Sequence, residues 1–131
     1  MKKLIVLLIV AMVMFCFAGT AFADGMSPMG TPAGTAGISS SGRNVTYSAI
    51  TTSAEIEDII TVTAFLQEYR SGTWYDISSV ANTKYNTVSV STSRTVAVSG
   101  GHYYRTRGIH TTTNDGVLKT TTSYSPQQWV S

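Results

Sequence analysis

From Arg43 onward, apolar and polar residues alternate along the chain with a period of two, the signature of half-buried strands. Val45, Tyr47 and Ala49 fall on one face of a first strand. Ile60, Val62, Ala64 and Leu66 form the clearest apolar face, with Thr61, Thr63 and Gln67 opposite. Ser71-Gly72 then interrupts, and residues 73–77 resume as the partner strand of a hairpin. Val88 and Val90, then Val96 and Val98, alternate with small or polar residues up to a turn at Ser99-Gly100-Gly101. Residues 103–113 make a long strand, Asn114-Asp115-Gly116 is the strongest turn signal, and residues 117–124 return. If all three turn residues form the loop, Thr113 faces Val117, Thr112 faces Leu118 and Thr111 faces Lys119. No segment repeats apolar residues at intervals of three and four, so helix is not expected. About seven short strands without internal proline predict an all-β protein, an antiparallel β-sandwich with a barrel as the structural rival. Trp74 and Trp129 are its natural aromatic core candidates.

The first 42 residues break this pattern. Lys2-Lys3 precede an apolar run of fifteen residues, from Leu4 to Ala18, and a small-residue stretch ends in Ala21-Phe22-Ala23 before Asp24. Residues 1–23 therefore read as a secretory signal peptide cleaved between Ala23 and Asp24. The run falls short of the about 20 apolar residues that a permanent span requires, so no stable membrane span is expected in the mature protein. Phe15 before Cys16 does not fit a lipoprotein signal, where a small residue precedes the cysteine. Residues 24–42, rich in Gly, Ser and Pro, read as a flexible linker too poor in apolar surface to order itself. The β-sandwich domain then occupies residues 43–131.

Composition changes the picture once this segment is set aside. The whole chain of 131 residues carries a formal charge of +2. Lys2 and Lys3 account for that excess, and seven Lys/Arg against seven Asp/Glu remain beyond residue 23. No cationic surplus is left to neutralise phosphates, so a nucleic-acid partner is not expected. The single cysteine, Cys16, leaves with the signal segment, and with it disulfides, thiol catalysis and cysteine metal sites.

The run Val96-Ala-Val-Ser-Gly-Gly-His-Tyr-Tyr-Arg-Thr-Arg-Gly108 resembles the junction between the fifth and sixth strands of fibronectin type III and immunoglobulin-like domains. The resemblance implies that Val98 ends one strand and that Tyr104 is a corner tyrosine bonding back to the backbone. Thr106, Gly108 and His110, which follow on the face of Tyr104, are smaller or more polar than the valines usual there. Phe65-Leu-Gln, Gly72-Thr-Trp74, residues 103–110, Ser123-Tyr-Ser and Trp129 together look like an uncharacterised group of small secreted proteins from Gram-positive bacteria. That likeness implies export and an all-β fold, and no activity.

Chemistry-bearing residues are few. His102 and His110 can share a strand face, but roughly 26 Å separates them, too far for one metal ion or one catalytic step. No Gly-x-Ser-x-Gly elbow surrounds a serine, so an enzyme is not expected. Glu55, Glu57 and Asp58 could contribute to a calcium site, yet no regular spacing of oxygen ligands accompanies them, and a solvated charged loop accounts for them better. Asn44-Val45-Thr46 matches a glycosylation sequon, to which we give no weight in a chain that looks bacterial. The threonine runs 111–113 and 120–122 are explained by strand propensity.

Tyr103, Arg105 and Arg107 share one face of the long strand, continued by Ile109. Aromatic and guanidinium groups side by side can stack on sugars or on a partner's aromatic rings. The plainer explanation is an exposed face whose arginine stems cover apolar neighbours. No metal or cofactor is expected. The reading is a secreted β-sandwich, extracellular and retained at the cell surface only through affinity, that binds an extracellular protein or polysaccharide without catalysis. The alternatives are a small bacteriocin-like or pore-forming toxin, disfavoured by the zero net charge, and a structural matrix or coat component.

Overall fold

A computed structural model describes residues 32–131. The signal peptide, its Ala23/Asp24 cleavage point and residues 24–31 of the linker lie outside the described residues. Strands make up 85% of what is described, and there is no helix among these residues. Six strands follow one another: β1 (Ala33–Ser41), β2 (Asn44–Arg70), β3 (Thr73–Ala97), β4 (His102–Asn114), β5 (Val117–Tyr124) and β6 (Gln128–Val130).

All of them belong to one curled antiparallel sheet. The curl originates in β2, whose neighbours change midway along its length. Its first part pairs with β1, from Ser41↔Asn44 to Ala33↔Thr52. Its last part pairs with β4, from Ile59↔Thr113 to Glu68↔Tyr104. β3 accompanies β2 on both sides of a register break between Thr52 and Glu57. A break of this kind bends and twists a strand, and here it brings β1 back against β4 and β5. Thr106 Oγ1 donates to the Gly37 carbonyl at 2.8 Å, and Thr121 Oγ1 donates to that of Pro32 at 3.1 Å.

The alternation decides what lies inside the curl. Val45, Tyr47 and Ala49 from the first part of β2 meet Ile60, Val62, Ala64 and Leu66 from its last part. Val90, Tyr104 and Val130 complete the buried set, with Ile38, Val80, Val96 and Val98 packed around it. Each fully buried valine, leucine or isoleucine contributes about 1.5–3 kcal/mol relative to exposure. The large aromatics of this core are tyrosines. Tyr47 satisfies its hydroxyl on Ser78 Oγ at 2.7 Å.

Several sequence expectations are corrected here. Residues 33–41, assigned to the flexible linker, are β1, so the folded domain begins ahead of Arg43. At Gly34 the missing side chain is a packing requirement: an added Cβ would stand 2.2 Å from the His110 ring. Trp74 and Trp129 are outside the core, and Trp129 is 49% exposed. Val88 is exposed although Val90 is buried, because it sits opposite the β2 register break. Glu57 belongs to β2 and is fully buried, not part of a solvated loop.

The last hairpin is one residue tighter than expected. Asn114 pairs with Val117, and Thr113, Thr112 and Thr111 pair with Leu118, Lys119 and Thr120. Asp115 and Gly116 alone form the loop, with φ of 48° and 77°. Two positive φ values in succession match the tight turn that suits strand twist, and Asp-Gly tolerates them.

Candidate functional site

Curling the sheet assigns the two faces of β4 opposite roles. Tyr104, Thr106, Gly108, His110 and Thr112 point into the core and are buried, while Tyr103, Arg105, Arg107 and Ile109 point outward. The three residues singled out from the sequence, Tyr103, Arg105 and Arg107, therefore share one outer face. Pairing then brings companions to them from neighbouring strands. Trp129 of β6 stands opposite Tyr103, Gln67 of β2 opposite Arg105, and Phe65 of β2 and Tyr124 of β5 flank Arg107.

Arg105 is clamped. Its guanidinium carbon lies 4.2 Å from the centre of the Trp74 ring and 4.5 Å from that of Tyr124. Nε donates to Gln67 Oε1 at 2.8 Å. Gln67 in turn donates through Nε2 to Asp76 Oδ1 at 2.8 Å, and Asp76 Oδ2 accepts from Arg107 Nη2 at 3.0 Å. A second register shift, between Leu66 and Gln67, sets Gln67 opposite Asp76 and makes this chain of four side chains possible. Arg107 also sets its guanidinium over the Phe65 ring, 4.5 Å from the ring centre.

Aromatic pairs border the clamp. Tyr103 and Trp129 meet with ring centres 4.9 Å apart, and Tyr69 and Trp74 meet at 5.1 Å. Tyr103, Tyr124 and Trp129 are all exposed. Trp74, Tyr124, Trp129, Gln67 and Asp76 were not anticipated as site residues. Their outward alternation was available in the sequence, but only the strand order places them beside Arg105.

Beneath this face, Tyr104 donates its hydroxyl proton toward two acceptors, the Ser99 carbonyl at 2.5 Å and Glu68 Oε2 at 3.0 Å. The bond back to the backbone expected of Tyr104 is present. Burial, together with the neighbouring Glu68, pushes the phenol up to about 12. Burial alone would raise the Glu68 carboxyl, but hydrogen bonds from Arg70 and Tyr104 outweigh it and hold the group below its ordinary value.

The other sequence candidates are not brought together. His102 is half-buried at the start of β4, with Nδ1 3.3 Å from the Tyr69 carbonyl. His110 is fully buried, bonded through Nδ1 to Thr51 Oγ1 at 2.8 Å and through Nε2 to Ser123 Oγ at 2.6 Å. Ser123 and His110 are within reach of a nucleophile and its base, but a threonine hydroxyl stands where such a pair needs an acidic orienting group. Glu57 accepts from Ser53 Oγ at 2.5 Å, and Asp58 accepts from the Asp115 backbone at 2.9 Å. Among the described residues, no three His, Cys, Asp or Glu side chains are grouped to hold a metal ion. No helix among them is long and apolar enough to cross a membrane.

No protein-family model matches the chain, and no curated protein matches it either.

Proposed function

We propose that the protein is exported and acts outside the cell as a non-catalytic binding module, with the Arg105-centred face of β4 as its contact surface and a cell-surface polysaccharide as its ligand. The observation that carries this reading is the clamped Arg105, ringed by exposed tyrosine and tryptophan. Such a surface has its rings and polar groups held in place before any ligand arrives, which lowers the entropy cost of binding. Flat aromatic faces suit the C–H faces of sugars, and the donors and acceptors of Arg107 and Asp76 suit hydroxyl groups. Export rests on the charged, apolar and small-residue order of residues 1–23.

The curled sheet itself reads as a fibronectin type III-like sandwich. Counting the two parts of β2 and of β3 separately, and β5 with β6 as one, would give the seven strands of such a two-layered sandwich. The partner change along β2 and the Tyr104–Ser99 bond support that reading.

The test is cell fractionation, followed by capture of the full chain on purified cell walls. The protein is expected outside the cell and retained on walls. Retention should fall at least about tenfold in a Tyr103→Ala/Arg105→Ala/Trp129→Ala variant whose thermal unfolding is nearly unchanged. Undiminished retention of the folded variant would rule this face out. A structural role is the second reading, favoured by β3, which among the described residues pairs only with β2 and leaves its other edge open. Concentration-dependent insoluble assembly would mark that role.

A further inference from the structure

We infer that the face selects an acidic polysaccharide, one whose sugar rings rest on Tyr103 and Trp129 while a carboxylate takes the open edge of the Arg105 guanidinium. This rests on the reading of the face as a polysaccharide-binding surface and adds the charge of the ligand.

The charges of the face are unevenly matched. Arg107 is paired with Asp76, and Arg70 with Glu68. Arg105 has no carboxylate partner among the described residues. Among these residues its only hydrogen bond is from Nε to the neutral Gln67, and two rings cover its faces. Neither terminal nitrogen is used within the described fold. A guanidinium held this way can gain a partner only along its edge, where the paired N–H groups form a planar fork. That fork matches the two oxygens of a carboxylate, and a charge-assisted bidentate contact is the strongest it can make.

The apolar part of the ligand is placed by the same strand. Tyr103 precedes Arg105 by two residues on the same side of β4, a separation of roughly 7 Å along the strand. The Tyr103–Trp129 pair widens the platform toward β6. One sugar on the aromatic pair and the carboxylate of the next at Arg105 fit that spacing. A neutral polymer could use the rings but would leave the one unmatched charge of the face unanswered.

The experiment measures binding of the full chain to polygalacturonate and to its methyl ester, which keeps the backbone and removes the charge. Polygalacturonate is expected to bind about tenfold to a hundredfold more tightly, the worth of a charged hydrogen-bonded contact. Arg105→Gln should abolish that preference, and Arg105→Lys should restore little of it, since an ammonium keeps the charge without the fork. Thermal unfolding of both variants checks that the clamp has not collapsed. Arg94→Gln, which alters an exposed arginine on β3, should bind as the parent does. Equal binding of the acid and its ester overturns the inference. So does a preference lost as fully in Arg94→Gln, which would mean diffuse attraction. Retention on cell walls with neither polymer bound overturns it as well, while leaving the binding role of the face in place. Loss of wall retention would instead remove the binding role itself.

Discussion

Gly34 leaves open the space that the His110 ring occupies: an added Cβ at residue 34 would fall 2.2 Å from the ring atoms. Gly34 lies on β1 and His110 on β4, so this contact is where the curled sheet closes on itself. The ring is gripped from both sides, by Thr51 of β2 and by Ser123 of β5.

Gly34→Ala should therefore destabilise the fold by about 1–3 kcal/mol, the usual cost of overpacking, and Gly34→Val by more. Gly34 has no positive φ, so the loss is steric rather than backbone strain, and it must exceed the small gain from a stiffer unfolded chain. Urea unfolding measures it. An Ala variant as stable as the parent would show that β1 can move away from His110 without loss.

His110 should make stability depend on pH. Thr51 gives its own proton to the Thr61 carbonyl at 3.1 Å, so Nδ1–H donates to Thr51 and Nε2 accepts from Ser123. Burial lowers the imidazole below its ordinary value of 6.5. The unfolded chain then takes up the proton first as pH falls. The stability due to neutral His110 is present above that value and is lost below it, as the pH drops toward the lower folded-state value. Denaturation midpoints between about pH 7 and pH 5 should decline in the parent and flatten in His110→Gln. An equal slope in both would remove His110 as the cause. Glu68, held below its ordinary value of 4.5, loses its contribution in a separate and more acidic window.

Tyr104→Phe should cost about 1–3 kcal/mol, because the Ser99 carbonyl and Glu68 both lose a buried donor. At high pH the sign is set by the raised phenol. The unfolded tyrosine ionises near 10 while the folded one holds its proton to about 12. The contribution of Tyr104 is thus intact below about pH 10 and declines above it. A parent and a Phe variant that lose stability alike through this range would contradict the assignment.

Removing β1 should be more damaging than removing residues 1–31. A fragment of residues 43–131 lacks every contact from Ile38, Gly37 and Pro32 to the rest of the sheet. It is expected to lose cooperative unfolding, whereas residues 32–131 should retain it. Calorimetry on the two fragments decides the matter.

Trp129→Ala should change stability by less than about 1 kcal/mol, as an exposed residue would, whereas Leu66→Ala should cost about 2–5 kcal/mol. A severe loss on removing Trp129 would return that ring to the core.

What could be read in advance follows from the period of two. The burial of Val45, Tyr47 and Ala49, and of Ile60, Val62, Ala64 and Leu66, follows from alternation within one strand. The turn at Ser71-Gly72 was legible from its residue types, and so was a turn around Asp115-Gly116, though its register was expected one residue wider than it is. The common outward face of Tyr103, Arg105 and Arg107 needs only that they alternate on one strand. These are local properties, settled by neighbours in sequence.

The rest depended on residues far apart in the chain. Residues 33–41 have the composition of a disordered linker, yet they pair with β2 along their length, and Gly34 lets β1 lie close to His110 of β4. Trp74 and Trp129 look like core residues by type, but strand order places them on the outer face beside Arg105 and Tyr103. Glu57 looks solvated by charge, yet it is buried where β2 bends. Alternation determined which residues share a side of each strand. Only the curl of β2, by choosing which strands meet, decided which side became the interior and which aromatics gathered around Arg105.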